Sequence, residues 1–210
     1  YYAQSFPSLA SFPQQQALNR DAGAALLDRI GDAILLTHSQ SGTFGWLIAD
    51  ARPGKVKAIV ALEPSGPPVH DMVAKGAPDW FEDGAFTKPY GLTAEPLTYD
   101  PPLRDGEAPT LRAASMMTRM VDAKPTTTLQ AEPARRLTHL QNVKVLVVQG
   151  EASYHAPYDH NTVAYLRQAG VPTDFIRLAD HGLYGNGHML MLEKNNGEIA
   201  AIVMDWLGSL

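Results

Sequence analysis

Short apolar runs separated by polar turn residues dominate the two ends of the chain. Such runs are typical of buried strands, and they occur at 33–37, 56–62 and 143–148; a fourth strand is predicted at 173–178. A helical pattern over 43–51 joins the first two runs, which predicts a right-handed parallel β-α-β unit. Nearly continuous apolar strands favour a sheet covered on both faces. The pattern predicts an α/β fold with a mostly parallel sheet and helices on both faces.

Three further helices are predicted around these strands. The first runs from Pro13 to about Ile30, and its apolar side chains at i, i+4 spacing predict the face that packs beside the sheet: Leu18, Ala22, Leu26 and Ile30. The second covers about 158–169. The third covers about 189–207, with a break near Asn195-Asn196-Gly197.

The middle of the chain has a different residue pattern from the two ends. Nine of the 16 prolines lie between Pro64 and Pro109, and no stretch there has clean periodicity. Such a length is unusual for a plain loop and is typical of a lid or binding loop. We therefore divide the chain into a core part at 1–65, a lid-like insertion at 66–140 and a second core part at 141–210. Helices are expected within the insertion at about 110–122 and 130–137.

Composition narrows the classes of function. The formal net charge is -5, which gives no sign of a nucleic-acid surface, and no apolar run approaches the length of a membrane span. Cysteine is absent, so this chain has no thiol nucleophile, Cys-ligated zinc or disulfide. The chain starts at Tyr1 without Met, and we expect a proteolytically processed or partial product. A secreted or periplasmic location is favoured over a cytoplasmic one.

A serine lies where the first strand turns into its helix. The segment His38-Ser39-Gln40-Ser41-Gly42 follows the apolar run, and the positions two before and two after Ser39 are the small residues Thr37 and Ser41. Strand, sharp turn and helix are the context of a nucleophile elbow. The pattern predicts that Ser39 is a nucleophile.

An acid and a histidine follow in the order Ser, acid, His. Glu63 ends the second strand and His188 lies after the last strand, and reactive groups collect beyond the carboxyl ends of parallel strands. A serine needs a base to take its proton, histidine titrates near neutral pH, and a carboxylate fixes the histidine tautomer. The backbone N–H of Gln40 is the expected oxyanion donor.

These segments together resemble the α/β-hydrolase-fold serine esterases. The resemblance rests on the elbow at 38–42, on Glu63-Pro64-Ser65-Gly66 after the next strand, and on Gly185-Asn186-Gly187-His188-Met189-Leu190-Met191. It implies hydrolysis of small-molecule carboxylic esters through an acyl-enzyme, a Ser39-His188-Glu63 triad, and no metal or organic cofactor.

Other assignments stay open from the sequence. Glu151 or Asp159 could be the acid, and His181 could be the base. His155, Asp159 and His160 could also be metal ligands, although their spacing matches no standard zinc pattern. The alternatives for function are a non-catalytic binding module of the same fold, a lyase or acyltransferase with the same triad, and a metal-dependent hydrolase.

The substrate pocket and the missing strands are further expectations. Aromatic side chains predicted for the pocket are Trp46, Trp80, Phe81, Tyr90 and Tyr154, and His38 is expected to pack beside the nucleophile. The resemblance implies several strands before the elbow strand, and this chain offers one helix there. We therefore expect N-terminal strands, together with the second oxyanion donor, on a companion segment of the same precursor; a homodimer is also open.

Overall fold

The computed structural model describes residues 9–75, 81–104, 106–115 and 126–210. It contains the helices α1 (Phe12–Ile30), α2 (Ser41–Ala51), α3 (Asp159–Gln168) and α4 (Asn196–Gly208). Its strands are β1 (Ala33–His38), β2 (Val56–Leu62), β3 (His70–Ala74), β4 (Phe81–Phe86), β5 (Tyr99–Asp100), β6 (Leu111–Ser115), β7 (Thr126–Gln130), β8 (Arg136–Leu137), β9 (Lys144–Gln149) and β10 (Thr173–Arg177).

The main sheet has four parallel strands in the order β1-β2-β9-β10. All four predicted strands of this sheet are confirmed. The carboxyl ends of β1, β2 and β9 lie at one edge, since His38 pairs with Leu62 and Leu62 pairs with Val148. Ser39 and Glu63, which directly follow β1 and β2, therefore lie at the same end of the sheet.

Alternate side chains of the central strands pack into two separate cores. Ile59 and Val147 belong to a core shared with α1, α2 and α3, whereas Val60 and Leu146 belong to a core shared with α4. This alternation follows from the two-residue period of a strand. Helices therefore cover both faces of the sheet, as predicted.

The C-terminal helix differs from its prediction. It begins at Asn196, and only a short 3-10 turn at Leu190–Leu192 precedes it. The predicted helix from about 189 with a break near 195–197 is therefore wrong in its first part. The segment just after His188 is a turn, which leaves the histidine on a loop.

The predicted buried face of α1 is also wrong. Leu18, Leu26 and Ile30 are 50%, 54% and 62% exposed, and the buried side chains of this helix include Ala24 and Leu27. α1 packs on α2 through small residues: a Cβ atom added to Gly23 would lie 2.3 Å from Ile48 Cδ1. Close helix packing therefore selects the small-residue face over the apolar stripe.

The middle segment forms three small antiparallel pairs, β3 with β4, β5 with β8 and β6 with β7. The helices predicted at 110–122 and 130–137 are wrong where the structure describes them, because these residues contribute to β6, β7 and β8. Residues 116–122 lie outside the described part. Pairing with the threonine-rich strand β7 overrides the helix propensity of Leu111-Arg112-Ala113-Ala114.

Among the described residues, no helix is both long and apolar enough to cross a membrane.

Candidate active site

Ser39 sits at the sharp turn between β1 and α2. Its φ is 57°, a left-handed conformation that is uncommon for a residue with a side chain. The backbone holds this turn, since Ser39 N–H donates to the Leu62 carbonyl (3.1 Å) and Ser65 N–H donates to the Ser39 carbonyl (2.9 Å). A non-glycine residue in this conformation marks a functional site more often than chance.

Small residues let α2 approach the end of β2. A Cβ atom added to Gly42 would lie 2.5 Å from Pro64 Cβ, so only glycine fits there. Ser41 has a different task, because its Oγ donates to the His38 carbonyl at 2.7 Å and closes the turn. The sequence predicted small residues at Thr37 and Ser41, whereas the structure shows that Gly42 sets the distance to the Glu63-Pro64 turn.

Glu63 continues β2 and turns its side chain into the protein. Its N–H donates to the Val148 carbonyl at 2.9 Å, its φ is 42°, and the residue is fully buried. The carboxylate is surrounded by donors: Gly150 N–H lies 2.7 Å from Oε1, and Ser153 Oγ lies 2.6 Å from Oε2. A buried charge needs such partners.

Sequence reasoning missed two of the residues that hold Glu63. Gly150 has no room for a side chain, since a Cβ atom would lie 2.5 Å from the Asn186 carbonyl oxygen and 3.1 Å from Glu63 Oε1. Ser153 is 6% exposed and donates to the carboxylate. The glycine directly after the third apolar strand was the available signal.

His188 is placed by a hydrogen-bonded loop. The Asn186 and Asn195 side chains bond to each other, with Nδ2 to Oδ1 distances of 2.7 and 3.2 Å. The Ala152 N–H donates to the Asn186 carbonyl at 3.0 Å, and Gly187 N–H donates to a carboxylate oxygen of Glu193 at 3.0 Å. These bonds fix the loop between β10 and α4 against the end of β9.

Ser39, His188 and Glu63 form one continuous hydrogen-bonded chain. His188 Nε2 lies 2.9 Å from Ser39 Oγ, and His188 Nδ1 lies 2.6 Å from Glu63 Oε2. The three residues come from separate loops. Ser39 lies 149 positions and Glu63 lies 125 positions before His188 in the sequence. Both distances are within hydrogen-bonding range.

Three aromatic rings surround the His188 imidazole. The His38 ring lies 4.5 Å away, the Tyr154 ring 4.9 Å away, and the His155 ring is stacked at 4.6 Å with an interplanar angle of 7°. His38 Nε2 also lies 2.9 Å from the His188 carbonyl oxygen. These contacts restrict the orientation of the His188 ring.

A second histidine–carboxylate pair lies behind this ring. His155 Nδ1 is 2.9 Å from Asp159 Oδ1, and the side chains are 2% and 0% exposed. Asp159 Oδ2 has no hydrogen-bond partner among the described residues. Burial raises the pKa of Asp159 well above its usual value and lowers the pKa of His155 to about 4. Burial therefore favours an uncharged form of each side chain.

Burial also shifts the pKa values of Glu63 and His188, the two residues that are hydrogen-bonded in series to Ser39. It raises the pKa of Glu63 to about 7, with the nearby Asp159 carboxyl acting in the same direction. It lowers the pKa of His188 to about 4, assisted by His155 and His38. Burial keeps His188 neutral at neutral pH, so its Nε2 lone pair can accept a proton.

The alternative acids, Glu151 and Asp159, and the alternative base, His181, lie away from Ser39 or bond to other residues. Glu151 is exposed and accepts the Gly185 N–H at 3.1 Å, and His181 is exposed at the end of the turn after β10. Asp159 bonds to His155 rather than to His188. The described geometry therefore brings Glu63 and His188, and none of these three rivals, to Ser39.

The predicted pocket residues are scattered. Tyr154 lines the pocket of about 300 Å³ around Ser39 and Gln40. Trp46 is fully buried in the core, because it lies on the inner face of α2. Phe81 is 3% exposed and packs edge-on against Tyr158. The Tyr90 carbonyl accepts a hydrogen bond from the Tyr99 hydroxyl, and Tyr90 does not line this pocket. Trp80 lies outside the described residues.

One set of side chains could in principle hold a metal ion. Ligand atoms of Glu63, His155 and His188 lie within 4.8 Å of one another. This set differs from the His155, Asp159 and His160 cluster that the sequence suggested. In the described structure the set is already engaged, since Glu63 pairs with His188 and His155 pairs with Asp159.

Known proteins resemble this chain over almost its whole length. The alpha/beta hydrolase family matches residues 1–202. A fungal protein named "Probable secreted lipase phiG", from Fungal sp. (strain ATCC 74256), is 42% identical over 211 residues, which cover 99% of this chain and 54% of that protein. A solved structure titled "The Atomic Resolution Structure of a Novel Bacterial Esterase" has a TM-score of 0.57 and 24% identity, over 99% of this chain and 48% of that one. The chain thus spans about half the length of each relative. The solved structure shows a related fold, and the match over residues 1–202 shows that the chain belongs to the alpha/beta hydrolase family.

Proposed function

We propose that this chain carries the triad of a serine hydrolase that cleaves carboxylic esters through an acyl-enzyme. Ser39 is the nucleophile, His188 the base and Glu63 the acid that orients it. The observation that carries the proposal is the unbroken series of contacts from Ser39 Oγ to His188 Nε2 (2.9 Å) and from His188 Nδ1 to Glu63 Oε2 (2.6 Å).

Acylation follows from these contacts. The Ser39 hydroxyl donates to Nε2 of neutral His188, and the imidazole takes this proton as Oγ bonds to the ester carbonyl carbon. Glu63 accepts the Nδ1–H and stabilises the imidazolium that forms. When the tetrahedral intermediate collapses, the bond to the alcohol oxygen breaks and His188 Nε2–H gives its proton to that oxygen.

Deacylation repeats these steps with water. His188 takes a proton from the water as its oxygen bonds to the acyl carbon, and collapse then breaks the bond to Ser39 Oγ. The serine recovers its proton from His188, and the carboxylic acid leaves. The triad itself holds every group that this proton transfer requires.

The start of α2 suits the developing negative charge. Gln40 is the N-cap of α2 and lines the pocket beside Ser39. The N–H groups at a helix start lack intrahelical partners and carry partial positive charge. The Gln40 N–H is our proposed oxyanion donor.

The choice of ester chemistry is supported by the relatives. A protein at 42% identity carries the name of a secreted lipase, and lipases cleave carboxylic esters. Secretion of this protein is the corresponding proposal for its location. A binding module has no need for a linked serine, histidine and acid, whereas a lyase or acyltransferase could use the same triad.

Rapid-quench mass spectrometry with p-nitrophenyl acetate tests the proposal. We expect a burst of p-nitrophenol and an acetyl adduct on the Ser39 peptide, followed by steady release of acetate. The matched control is Ser65→Ala, which removes the other serine hydroxyl that borders the pocket and leaves Ser39 in place. Ester cleavage that persists in Ser39→Ala would overturn the proposal, and loss of activity on chelation would favour a metal-dependent hydrolase.

Strand β1 is the outermost strand of the main sheet in the part of the chain that the structure describes, and it carries a separate proposal about a partner. Ile34 and Leu36 are 45% and 64% exposed on this strand. An exposed apolar edge strand invites pairing with further strands. We therefore keep the companion segment of the same precursor as our proposal, with a homodimer as the alternative. Native mass spectrometry of the isolated protein separates the two, and a folded, active monomer of these 210 residues alone would contradict both.

A further inference from the structure

Consecutive residues in the turn after β9 contact different members of the proposed triad. The Ser153 hydroxyl donates to Glu63 Oε2 at 2.6 Å, and the His155 ring is stacked on the His188 ring at 4.6 Å. The residue between them is Tyr154, which takes no part in the proton transfers of the triad. Its position in this turn raises the question of what its hydroxyl contacts.

The Tyr154 side chain lies beside the nucleophile. It lines the pocket of about 300 Å³ together with Ser39, and its ring lies 4.9 Å from the His188 ring and 4.5 Å from the His155 ring. The Tyr154 hydroxyl is a hydrogen-bond partner of the Ser39 side chain. The packed imidazole rings therefore hold the phenol next to the oxygen that we propose as the nucleophile.

The hydrogen bonds of the triad determine which of these two hydroxyls is the donor. Glu63 accepts the Nδ1–H of neutral His188 at 2.6 Å, so His188 Nε2 is an acceptor and takes the Ser39 O–H at 2.9 Å. Burial raises the pKa of Tyr154, the carboxyl groups of Glu63 and Asp159 act in the same direction, and the hydrogen bond with Ser39 acts against them. The phenol therefore keeps its proton and donates it to Ser39 Oγ.

The strength of Ser39 Oγ as an acceptor changes during the catalytic cycle. In the free enzyme it is a hydroxyl oxygen, which accepts well. In the acyl-enzyme it is an ester oxygen, which accepts weakly because its lone pair is delocalised into the carbonyl group. Addition of water restores this lone pair, and the oxygen gains negative charge as its bond to the acyl carbon breaks. A donor at Oγ therefore binds the transition state of deacylation more strongly than the acyl-enzyme before it.

We propose that Tyr154 is a catalytic residue of deacylation, which donates a hydrogen bond to Ser39 Oγ while the bond between Oγ and the acyl carbon breaks. This inference rests on the proposed ester hydrolysis. The electrons of the broken bond go to Oγ, the proton that neutralises them comes from His188 Nε2–H, and the Tyr154 proton stays on the phenol. Acylation gains little, because the same hydrogen bond is already present in the free enzyme.

Steady-state kinetics of Tyr154→Phe with p-nitrophenyl acetate test this role, because phenylalanine keeps the ring and removes the hydroxyl. After a burst of p-nitrophenol, kcat reports deacylation, and we expect it to fall about 10-fold, the effect of one hydrogen bond. KM should fall by the same factor, so kcat/KM, which reports acylation, should stay unchanged. The matched control is Tyr184→Phe, at a tyrosine that is 67% exposed on the loop between β10 and α4, and it should change none of the three.

Two further readouts separate this role from a loss of folding. The amplitude of the burst counts the active sites, so a partly unfolded variant lowers the amplitude but not the turnover of each active site. Rapid-quench mass spectrometry should show an acetyl group on the Ser39 peptide that persists about 10-fold longer in Tyr154→Phe. 3-Fluorotyrosine in place of Tyr154 keeps both the ring and the donor, and it should restore the lifetime of the unaltered protein.

The outcomes distinguish the role of Tyr154 from the proposed function. A fall in kcat/KM as large as the fall in kcat, or unchanged kinetics in Tyr154→Phe, would overturn the role in deacylation and leave ester hydrolysis by Ser39 standing. Absence of both the burst and the acetyl adduct on Ser39 in the unaltered protein would instead overturn the proposed function, and the role of Tyr154 with it.

Discussion

Two histidine–carboxylate pairs lie side by side in this molecule, and they differ in solvent exposure and in hydrogen bonding to Ser39. Glu63–His188 and Asp159–His155 have similar bond lengths, 2.6 and 2.9 Å, and their imidazole rings are stacked at 4.6 Å. His188 is 16% exposed and contacts Ser39, whereas His155 is 2% exposed. We therefore propose that the first pair is a catalytic base with its acid and that the second is a buried support, because His188 is the histidine that is hydrogen-bonded to Ser39.

The largest expected effect comes from the two histidines themselves. His188→Ala removes the base, so kcat/KM for p-nitrophenyl acetate should fall about 10⁴-fold or more. His155→Ala should leave far more activity, because the hydrogen bond to Ser39 Oγ comes from His188, whereas His155 bonds to Asp159. Steady-state kinetics of both variants measure the contrast, and equal losses would contradict our distinction between the pairs.

The two carboxylates should differ by a smaller factor. Glu63→Gln removes the charge that orients His188, and we expect a loss of about 10² to 10⁴ in kcat. Asp159→Asn is a matched change in the second pair, and burial already favours the uncharged form of Asp159. It should cost less than about 10-fold in kcat. A deeper loss in Asp159→Asn than in Glu63→Gln would reverse the assignment of the acid.

The second pair, His155 with Asp159, should matter for the stability of the fold. His155→Phe keeps a ring against His188 but leaves the buried Asp159 without its partner, which should cost about 1 to 3 kcal/mol of unfolding free energy. Urea denaturation measures this. Adding Asp159→Asn to the same variant should not recover the loss, since a buried amide also lacks a partner there; full recovery would show that charge alone sets the cost.

The smallest effect concerns pH. Burial raises the pKa of Glu63 to about 7, so acidification below about pH 7 protonates the acid and should lower kcat/KM. The Ser153 hydroxyl donates to the ionised carboxylate and lowers its pKa. Ser153→Ala should therefore raise this pKa and move the acid limb of the pH–rate profile to higher pH. An unmoved or lowered limb would contradict this role, and Ser209→Ala, at the exposed C-terminus, is the control.

Much of the fold could be predicted because three of the four main strands are nearly continuous apolar runs. These runs predicted β1, β2 and β9, a fourth strand was predicted at β10, and the order Ser39, Glu63, His188 predicted three side chains that the fold brings together. Parallel strands place their carboxyl ends at one edge, so residues far apart in sequence converge there.

The rest depended on contacts that a single sequence does not show. Leu18 and Leu26 have helical spacing, but Gly23 allowed the opposite face of α1 to pack closely on α2. Ser153 and His155 attracted no prediction as supports of the triad, since their roles arise from the loop after β9 meeting Glu63 and His188. Side chains that support others leave no fixed spacing in the sequence.

Treatment with a fluorophosphonate probe, followed by intact-mass analysis and peptide mapping, tests the central claim most directly, because the probe reacts with activated serines. We predict one adduct on this chain, located at Ser39, lost in His188→Ala and retained in His155→Ala. No adduct on the folded protein, or an adduct at another serine that persists in Ser39→Ala, would contradict the account.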